Sequence, residues 1–255
     1  MSDDRVTTNR LAGDITRRTV LGVLGAAGAS ALTGCRPAES RQIGQVAGSA
    51  DTLDCVATPE QTEGPYFTDD RLNRADIRLD PTTNAVSAGL PLRLRMNVSR
   101  VDGNACTPLT GALVDVWQCD ALGIYSDFRD NNGFFDTRGQ KFLRGYQVTD
   151  RSGAAEFVTV YPGWYRGRAV HIHFKVRLPA EAQRSYEFTS QLYFDDAITD
   201  QVHGQPPYAA KGARDIRNDR DRIYQARDSG SHLLLRLSRE EQGYLGTYAI
   251  GLRMS

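Results

Sequence analysis

The sequence predicts an all-β fold, a single-domain β-sandwich with long loops. Two observations support this prediction. Short segments that alternate apolar and polar residues recur along the chain, as half-buried strands do. Clusters of Gly, Asn, Asp and Pro separate these segments, and many short strands joined by turns are typical of a sandwich.

Composition excludes two broad classes of protein. The 255-residue chain carries 31 Lys and Arg against 31 Asp and Glu, so no excess of positive charge would attract nucleic acid. Hydrophobic residues make up 40% and charged residues 24%, which is typical of a globular rather than a disordered chain.

Residues 1–35 are predicted to be a targeting segment. Arg17 and Arg18 form a twin-arginine pattern, and the apolar run 20–33 that follows is too short to span a bilayer. The run leads into Leu-Thr-Gly-Cys35, which resembles a bacterial lipobox. We expect export by the twin-arginine route, an extracytoplasmic location and membrane contact only through a lipid anchor at Cys35. The alternative is an ordinary signal peptide in which Cys35 is incidental.

Residues 36–54 are rich in Ala, Gly and Ser, so they are predicted to form a flexible tether to a folded domain at 55–255. An exported domain permits a disulfide bond. Among Cys55, Cys106 and Cys119 we favour the pair Cys55–Cys106, because each lies just outside a predicted regular segment. Cys119 is then a buried free thiol, although the other two pairs stay open.

The alternation also places the strands along the chain. The clearest strand is Leu90–Val98, with a turn at Asp102–Asn104 after it. Further strands are predicted at 113–119, 145–149, 154–160, 170–178, 186–194, 232–237 and 244–252. The pair 145–149 and 154–160 is expected to form a hairpin about Asp150–Gly153, and Asn131–Gly133 is expected to be another turn.

The long segment 205–229 is charged and irregular. We expect residues 205–227 to be a solvated charged face, which could instead contact a neighbouring subunit. Its interleaved charges are Arg214, Arg217, Arg220 and Arg222 with Asp215, Asp219 and Asp221.

Two histidines are the first candidates for chemistry. On the predicted strand 170–178, His171 and His173 fall on one polar face, about 7 Å apart along the strand, close enough to bind one metal ion. A pair of surface or structural histidines is the simpler alternative. The functional interpretation gains from Tyr165 and Arg168, which lie between the Pro162-Gly163 turn and the histidines.

The next strand presents a second set of polar residues. In 186–194, Gln191 and Tyr193 fall on the face opposite the apolar residues and are expected to share the polar space of the histidines.

Four segments, taken in order, carry a resemblance to a known family: Glu63–Phe67, Gly111–Phe128, Leu143–Tyr165 and Arg168–Phe174. With them the chain resembles the intradiol ring-cleavage dioxygenases, in particular the β chains of protocatechuate 3,4-dioxygenases and stand-alone exported members. The resemblance runs from about residue 58 to about residue 251 and implies the β-sandwich of that family, with long loops around a metal site.

The resemblance also implies a ligand set. Tyr125, Tyr165, His171 and His173 match the family's metal ligands. Phenolate is a hard, strongly donating anion that favours Fe(III), so the implied cofactor is non-haem Fe(III). Tyr161 is the alternative phenolate if the register is shifted.

The implied reaction is cleavage of a catechol-type aromatic ring by O2 to a muconate-type diacid. Arg168, Tyr165 and Gln191 would take part in catalysis, with Tyr165 accepting a proton from the diol, and Tyr66 and Arg168 would border the substrate. Only five residues separate Tyr165 from His171, fewer than in the protocatechuate enzymes, so the ring substituents accepted stay open, as does a homo-oligomeric state.

Three other functions compete with this one. An enzyme of the same fold could act on a different aromatic compound, for example a hydroxyquinol or a lignin-derived diol. A Zn or Cu protein could use His171 and His173 with His203 or His232, although His203 is expected to face solvent in a loop. A non-enzymatic carrier sandwich would use the aromatic residues only for packing.

Overall fold

Two β-sheets pack face to face in the part of the chain that the computed structural model describes, residues 56–130, 135–181, 184–226 and 229–254. The predicted targeting segment, the tether, Cys55 and the turn at 131–133 lie outside these residues. The strands are β1 (Pro91–Asp102), β2 (Ala105–Pro108), β3 (Leu113–Trp117), β4 (Arg144–Val148), β5 (Ala154–Val160), β6 (His171–Glu181), β7 (Arg184–Tyr193), β8 (Arg236–Glu240) and β9 (Gly243–Leu252). The helix α1 spans Asp196–His203, and short 3-10 helices span Tyr208–Lys211, Asn218–Arg220 and Gly230–Leu233.

The first sheet is built around β1. Its strand order is β2-β1-β9-β8, and β5 pairs with β1 on the side that β2 occupies further along. The pairing of β1 with β9 is parallel and runs from Leu92 opposite Tyr244 to Arg100 opposite Leu252. All the other pairs in this sheet are antiparallel.

The second sheet positions the candidate site. Its order is β4-β3-β6-β7, with every pair antiparallel. Strand β6 is therefore an inner strand, and both of its neighbours contribute side chains beside the histidines.

The core between the sheets follows from the alternation in the sequence. The apolar faces of both sheets meet in one cluster of buried residues that includes Leu92, Leu94 and Met96 of β1 and Ile172, Phe174 and Val176 of β6. The prediction of an all-β sandwich is confirmed.

The predicted hairpin of 145–149 with 154–160 is wrong. The turn forms, since the backbone N–H groups of Asp150 and Gly153 bond to Ala154 and Asp150. However, β4 pairs with β3 in one sheet and β5 pairs with β1 in the other. Strands β4 and β5 each pair along one edge with a single strand, and alternation alone does not show which sheet a strand joins.

The expectation of a solvated charged face at 205–227 is wrong for two of its charged residues. Arg214 has a side chain only 5% exposed and contacts Asp196 and Asp200. Asp221 is fully buried.

The helix α1 lies just before this segment of the chain. Asp195 caps it by accepting hydrogen bonds from the N–H groups of Ala197 and Ile198.

Cys119 is a buried free thiol, as expected. Cys106 is disulfide-bonded, and its partner lies outside the described residues. None of the helices in the described segments is long and apolar enough to cross a membrane.

Candidate metal centre

Strand β6 presents both histidines on the face that points away from the core. His171 and His173 are 2% and 1% exposed, because loops cover this face of the sheet. The strand register sets their neighbours: Trp117 and Gln191 lie opposite His173, and Tyr193 lies opposite His171. The indole of Trp117 stacks on the His173 ring, with centroids 5.0 Å apart and 8° between the planes.

Two loops bring the tyrosines to the histidines. Tyr125 follows β3 in a turn that is held by Asp120, whose Oδ1 accepts hydrogen bonds from the N–H groups of Leu122 and Ile124. Gly123 in this turn has φ +78°, and a Cβ there would lie 1.9 Å from the carbonyl oxygen of Trp164. Only glycine lets the two loops approach this closely, so Gly123 sets the loop of Tyr125 against the loop of Tyr165.

Three polar atoms converge on Nε2 of His171. The hydroxyl of Tyr165 lies 3.1 Å away, Nε2 of His173 lies 3.0 Å away and Nη1 of Arg168 lies 3.4 Å away. The other ring nitrogen, Nδ1, lies 2.7 Å from the carbonyl oxygen of Ala169 and so donates to it. Nε2 of His171 therefore carries a lone pair that faces the centre of the site.

Several buried polar atoms in the site have no hydrogen bond partner among the described residues. They are Nε1 of Trp117, the hydroxyl of Tyr125 and Nδ1 of His173, three of the five such atoms in that part of the chain. Tyr165 is nevertheless near enough to Tyr125 to affect its pKa. Orphaned polar groups are costly, so their concentration here indicates a site that a bound group would complete.

The electrostatics of the site fit a cation. Burial, followed by the charge of Arg168, lowers the pKa of His171 well below its usual value, and burial with the neighbouring His171 does the same to His173. Burial raises the pKa values of Tyr125 and Tyr165. Both imidazoles are thus neutral with free lone pairs, and the phenols need a strong cation to become phenolates.

Arg168 links the histidines to a buried polar network. Its Nη2 donates to Oε1 of Gln191 at 2.6 Å and its Nε donates to Oδ2 of Asp221 at 2.9 Å. Gln191 is fixed in turn, since its Nε2 donates to the carbonyl oxygen of Thr62 at 2.8 Å. The sequence predicts roles for Arg168 and Gln191 but not for Asp221, which was expected on a solvated face.

Tyr66 lies over the tyrosine ligands of the candidate centre. Its ring stacks on Tyr125, with centroids 4.1 Å apart and 12° between the planes, and it meets Tyr165 edge to face at 6.1 Å. Phe128 closes the same side at 5.1 Å from Tyr66. Tyr66, Tyr125 and Phe128 therefore form an aromatic wall that suits a flat ring.

Arg144 holds the loops of this aromatic wall in place. The sequence gives no prediction of this role. Its guanidinium donates to Oγ and the carbonyl oxygen of Ser126, to Oγ1 of Thr68 and to the carbonyl oxygen of Tyr66. It thereby ties the loop that carries Tyr66 to the loop that carries Tyr125.

The alternative ligands lie elsewhere. Tyr161 is buried in the core between the sheets, with its hydroxyl 2.8 Å from Oγ1 of Thr199. His203 is half-buried, contrary to expectation: Nε2 lies 3.0 Å from the carbonyl oxygen of Pro162, and the ring stacks on Tyr208. His232 is exposed. The described segments contain no group of three or more His, Cys, Asp or Glu side chains that could hold a metal ion, and the other candidate ligands beside the two histidines are Tyr125 and Tyr165.

Comparison with known proteins assigns the chain to a family. A family model described as "Dioxygenase" matches residues 62–215, more than half of the chain, and this range contains all four candidate ligands. The chain belongs to the intradiol ring-cleavage dioxygenase family.

Two named dioxygenase chains are similar to parts of this chain. Catechol 1,2-dioxygenase 2 of Acinetobacter lwoffii is 32% identical over 136 residues, which are 48% of this chain and 47% of that enzyme. The protocatechuate 3,4-dioxygenase β chain of Burkholderia cepacia is 36% identical over 106 residues, 38% of this chain and 44% of that protein. The chain thus spans about half the length of these relatives.

Solved dioxygenase structures share the fold. An intradiol ring-cleavage dioxygenase from Tetranychus urticae superposes with a TM-score of 0.66 at 27% identity, over 78% of this chain and 95% of that one. The dioxygenase domain of a carbohydrate-binding fusion protein from Streptomyces sp. SirexAA-E gives 0.53 at 30% identity, over 78% and 100%. The second match covers a whole dioxygenase domain.

Proposed function

We propose that this member of the intradiol dioxygenase family is a non-haem Fe(III) enzyme that cleaves a catechol-type ring with O2 to a muconate-type diacid. The observation that carries the proposal is the convergence of the Tyr165 hydroxyl and Nε2 of His173 on Nε2 of His171, beside the orphaned hydroxyl of Tyr125. Tyr125, Tyr165, His171 and His173 would hold the metal. When bound, ferric iron would supply the Lewis acidity and redox chemistry that couple a deprotonated diol to O2.

The two tyrosines are suited to different roles. Tyr125 is 1% exposed and lies under Tyr66, so it would remain a permanent ligand. Tyr165 is only half-buried, so its phenolate oxygen can turn away from the site and accept a proton from the incoming diol.

Arg168 would stabilise negative charge on the bound ring. Its guanidinium is always protonated, and Nη1 lies 3.4 Å from Nε2 of His171, beside the atoms that would hold the metal. Gln191 would keep this group in place through Oε1, while Tyr66 would cover the ring and exclude water.

The substrate is proposed by class only. The names of the relatives support a catechol, and the aromatic wall of Tyr66, Tyr125 and Phe128 suits one flat ring. A panel of catechol, protocatechuate and hydroxyquinol, followed by O2 uptake and product mass, would identify it. Both atoms of O2 should appear in the product.

A visible spectrum recorded with metal analysis tests the centre itself. The purified protein, reconstituted with iron, should show a broad red-purple band from tyrosinate bound to Fe(III), with stoichiometric iron. A colourless protein that holds zinc, copper or no metal after reconstitution would overturn the ligand assignment.

We further propose that the protein is exported by the twin-arginine route and anchored by lipid at Cys35, on the sequence pattern alone. Cell fractionation with a Cys35→Ser variant tests this proposal. The protein with its natural Cys35 should sediment with membranes, and the variant should not.

A further inference from the structure

A buried carboxylate lies in the segment expected to be a solvated charged face. Asp221 has a fully buried side chain, whereas Asp219, Arg220 and Arg222 around it are exposed. Burying one carboxylate from such a run is costly unless it is paired and hydrogen-bonded. The groups that donate hydrogen bonds to Asp221 therefore indicate its role.

Both oxygens of Asp221 are fully used. Oδ2 accepts hydrogen bonds from Nε of Arg168 at 2.9 Å and from the backbone N–H of Ala169 at 2.7 Å. Oδ1 accepts from the N–H groups of Ile223 and Tyr224 at 2.7 and 3.0 Å. Four donors fix the carboxylate in one orientation, so it holds Arg168 by its Nε edge and the chain just before β6 by its backbone.

The rest of the Arg168 guanidinium faces the candidate centre. With Nε bound to Asp221, Nη2 is directed to Oε1 of Gln191 at 2.6 Å and Nη1 lies 3.4 Å from Nε2 of His171. The planar guanidinium has a rigid fork of donors, so fixing one edge fixes the direction of the others.

We propose that Asp221 is a positioning residue for the reaction, acting through Arg168, an inference that rests on the proposed function. Its charge lets a buried guanidinium lie beside two neutral imidazoles and a metal ion, and its geometry aims Nη1 at the bound ring. The segment around Asp221 is therefore part of the active site.

A second contact fixes the same segment without Asp221. Nε2 of Gln61 donates to the carbonyl oxygen of Ile223 at 3.1 Å and to Oγ of Ser229 at 2.9 Å. Oε1 of Gln61 accepts from the hydroxyl of Tyr193 at 2.8 Å. Loss of the Asp221 charge should thus misplace Arg168 more than it disturbs the fold.

Steady-state kinetics of the iron-loaded protein test this proposal. Asp221→Asn should lower kcat and kcat/KM together by about 10- to 100-fold at unchanged iron content, as expected when a charge-stabilising group is misplaced. Asp196→Asn is the matched control, because it weakens a neighbouring ion pair with Arg214 outside the site, and it should keep full activity.

A double-variant comparison separates positioning from a structural role. If Asp221 acts through Arg168, Asp221→Asn should add no further loss in an Arg168→Gln background. Asp221→Glu keeps the charge and should restore part of the activity. If the activity losses of the two single variants multiply in the double variant, or if Asp221→Asn keeps full activity, the proposal is overturned.

The ¹⁵N NMR signal of the Arg168 side chain gives a readout that does not depend on catalytic turnover. The Nε–H signal of Arg168, identified by its absence in Arg168→Gln, should be protected from exchange in the unaltered protein and in Asp196→Asn but lost in Asp221→Asn. If Asp221→Asn does not fold, Asp221→Glu should shift the signal. An unchanged signal would overturn the inference. If the unaltered protein cleaves no diol, the proposed function fails, yet this signal still decides whether Asp221 positions Arg168.

Discussion

Gly64 lies against the ring of His173. Its φ of +71° is in the left-handed region, and a Cβ added there would be 3.2 Å from Cε1 of the imidazole. The loop that carries Tyr66 thus approaches a candidate metal ligand more closely than a residue with a Cβ ordinarily would.

Gly64→Ala should reduce iron binding as well as stability. The left-handed backbone costs about 1–2 kcal/mol for a residue with a Cβ, and the methyl group would also push the His173 ring. Gly103→Ala is the matched control, since Gly103 has φ +59° with nothing within 4 Å of the added Cβ. Thermal unfolding should show a loss in both variants, and metal analysis should show a loss only in Gly64→Ala. Equal iron content in both variants would show that the contact between Gly64 and His173 does not affect iron binding.

Tyr165→Phe should retain some iron but slow the reaction. The variant lacks the phenolate that takes a proton from the diol, a contribution of about 100-fold or more. Single-turnover absorbance with catechol measures this step. Tyr161→Phe, which loses only a hydrogen bond to Thr199 in the core, should keep both the colour and the rate. Unchanged turnover in Tyr165→Phe would contradict the role assigned to Tyr165.

Arg144→Lys should destabilise the protein by about 3 kcal/mol or more, because a lysine cannot replace the donors that join Thr68, Tyr66 and Ser126. Urea unfolding gives the value. Arg93→Lys, at an exposed ion pair with Glu240, should change the free energy of unfolding little. A small effect of Arg144→Lys would mean that the two loops are held by their aromatic contacts alone.

Acid should destabilise the protein partly through His203. Burial lowers the pKa of His203, so the unfolded chain binds a proton more readily than the folded one. The stability that His203 contributes is therefore complete above about pH 6.5 and falls as the pH drops towards its folded pKa, by at most about 1.4 kcal/mol per pH unit. Urea unfolding at pH 7.5 and 5.5 should show a smaller decrease for His203→Gln than for the unaltered protein. Equal decreases would show that His203 is not the group that titrates.

The sequence predicted strand β6 and its two faces well, because a half-buried strand must alternate. Ile172 and Phe174 had to enter the core and His171 and His173 had to face the other way. The same reasoning correctly placed Gln191 and Tyr193 beside the histidines.

The sequence could not predict contacts between distant segments. Asp221 resembles its exposed neighbours in every local property, and only the approach of Arg168, 53 residues earlier, makes its burial favourable. The hairpin of β4 and β5 failed for a similar reason, since the turn between them is local but the choice of sheet is not. His203 was expected in solvent because its contact with Pro162, 41 residues earlier in the chain, is tertiary.

The parallel pairing of β1 with β9 bears on how the chain folds during synthesis. An inner strand of the first sheet pairs across about 150 residues of sequence, a separation at which loop closure is slow. Until residues 243–252 have left the ribosome, β1 has an unpaired edge along its full length, and unpaired edges are sites of aggregation. The first sheet is therefore expected to be completed only after residues 243–252 have been inserted beside β1.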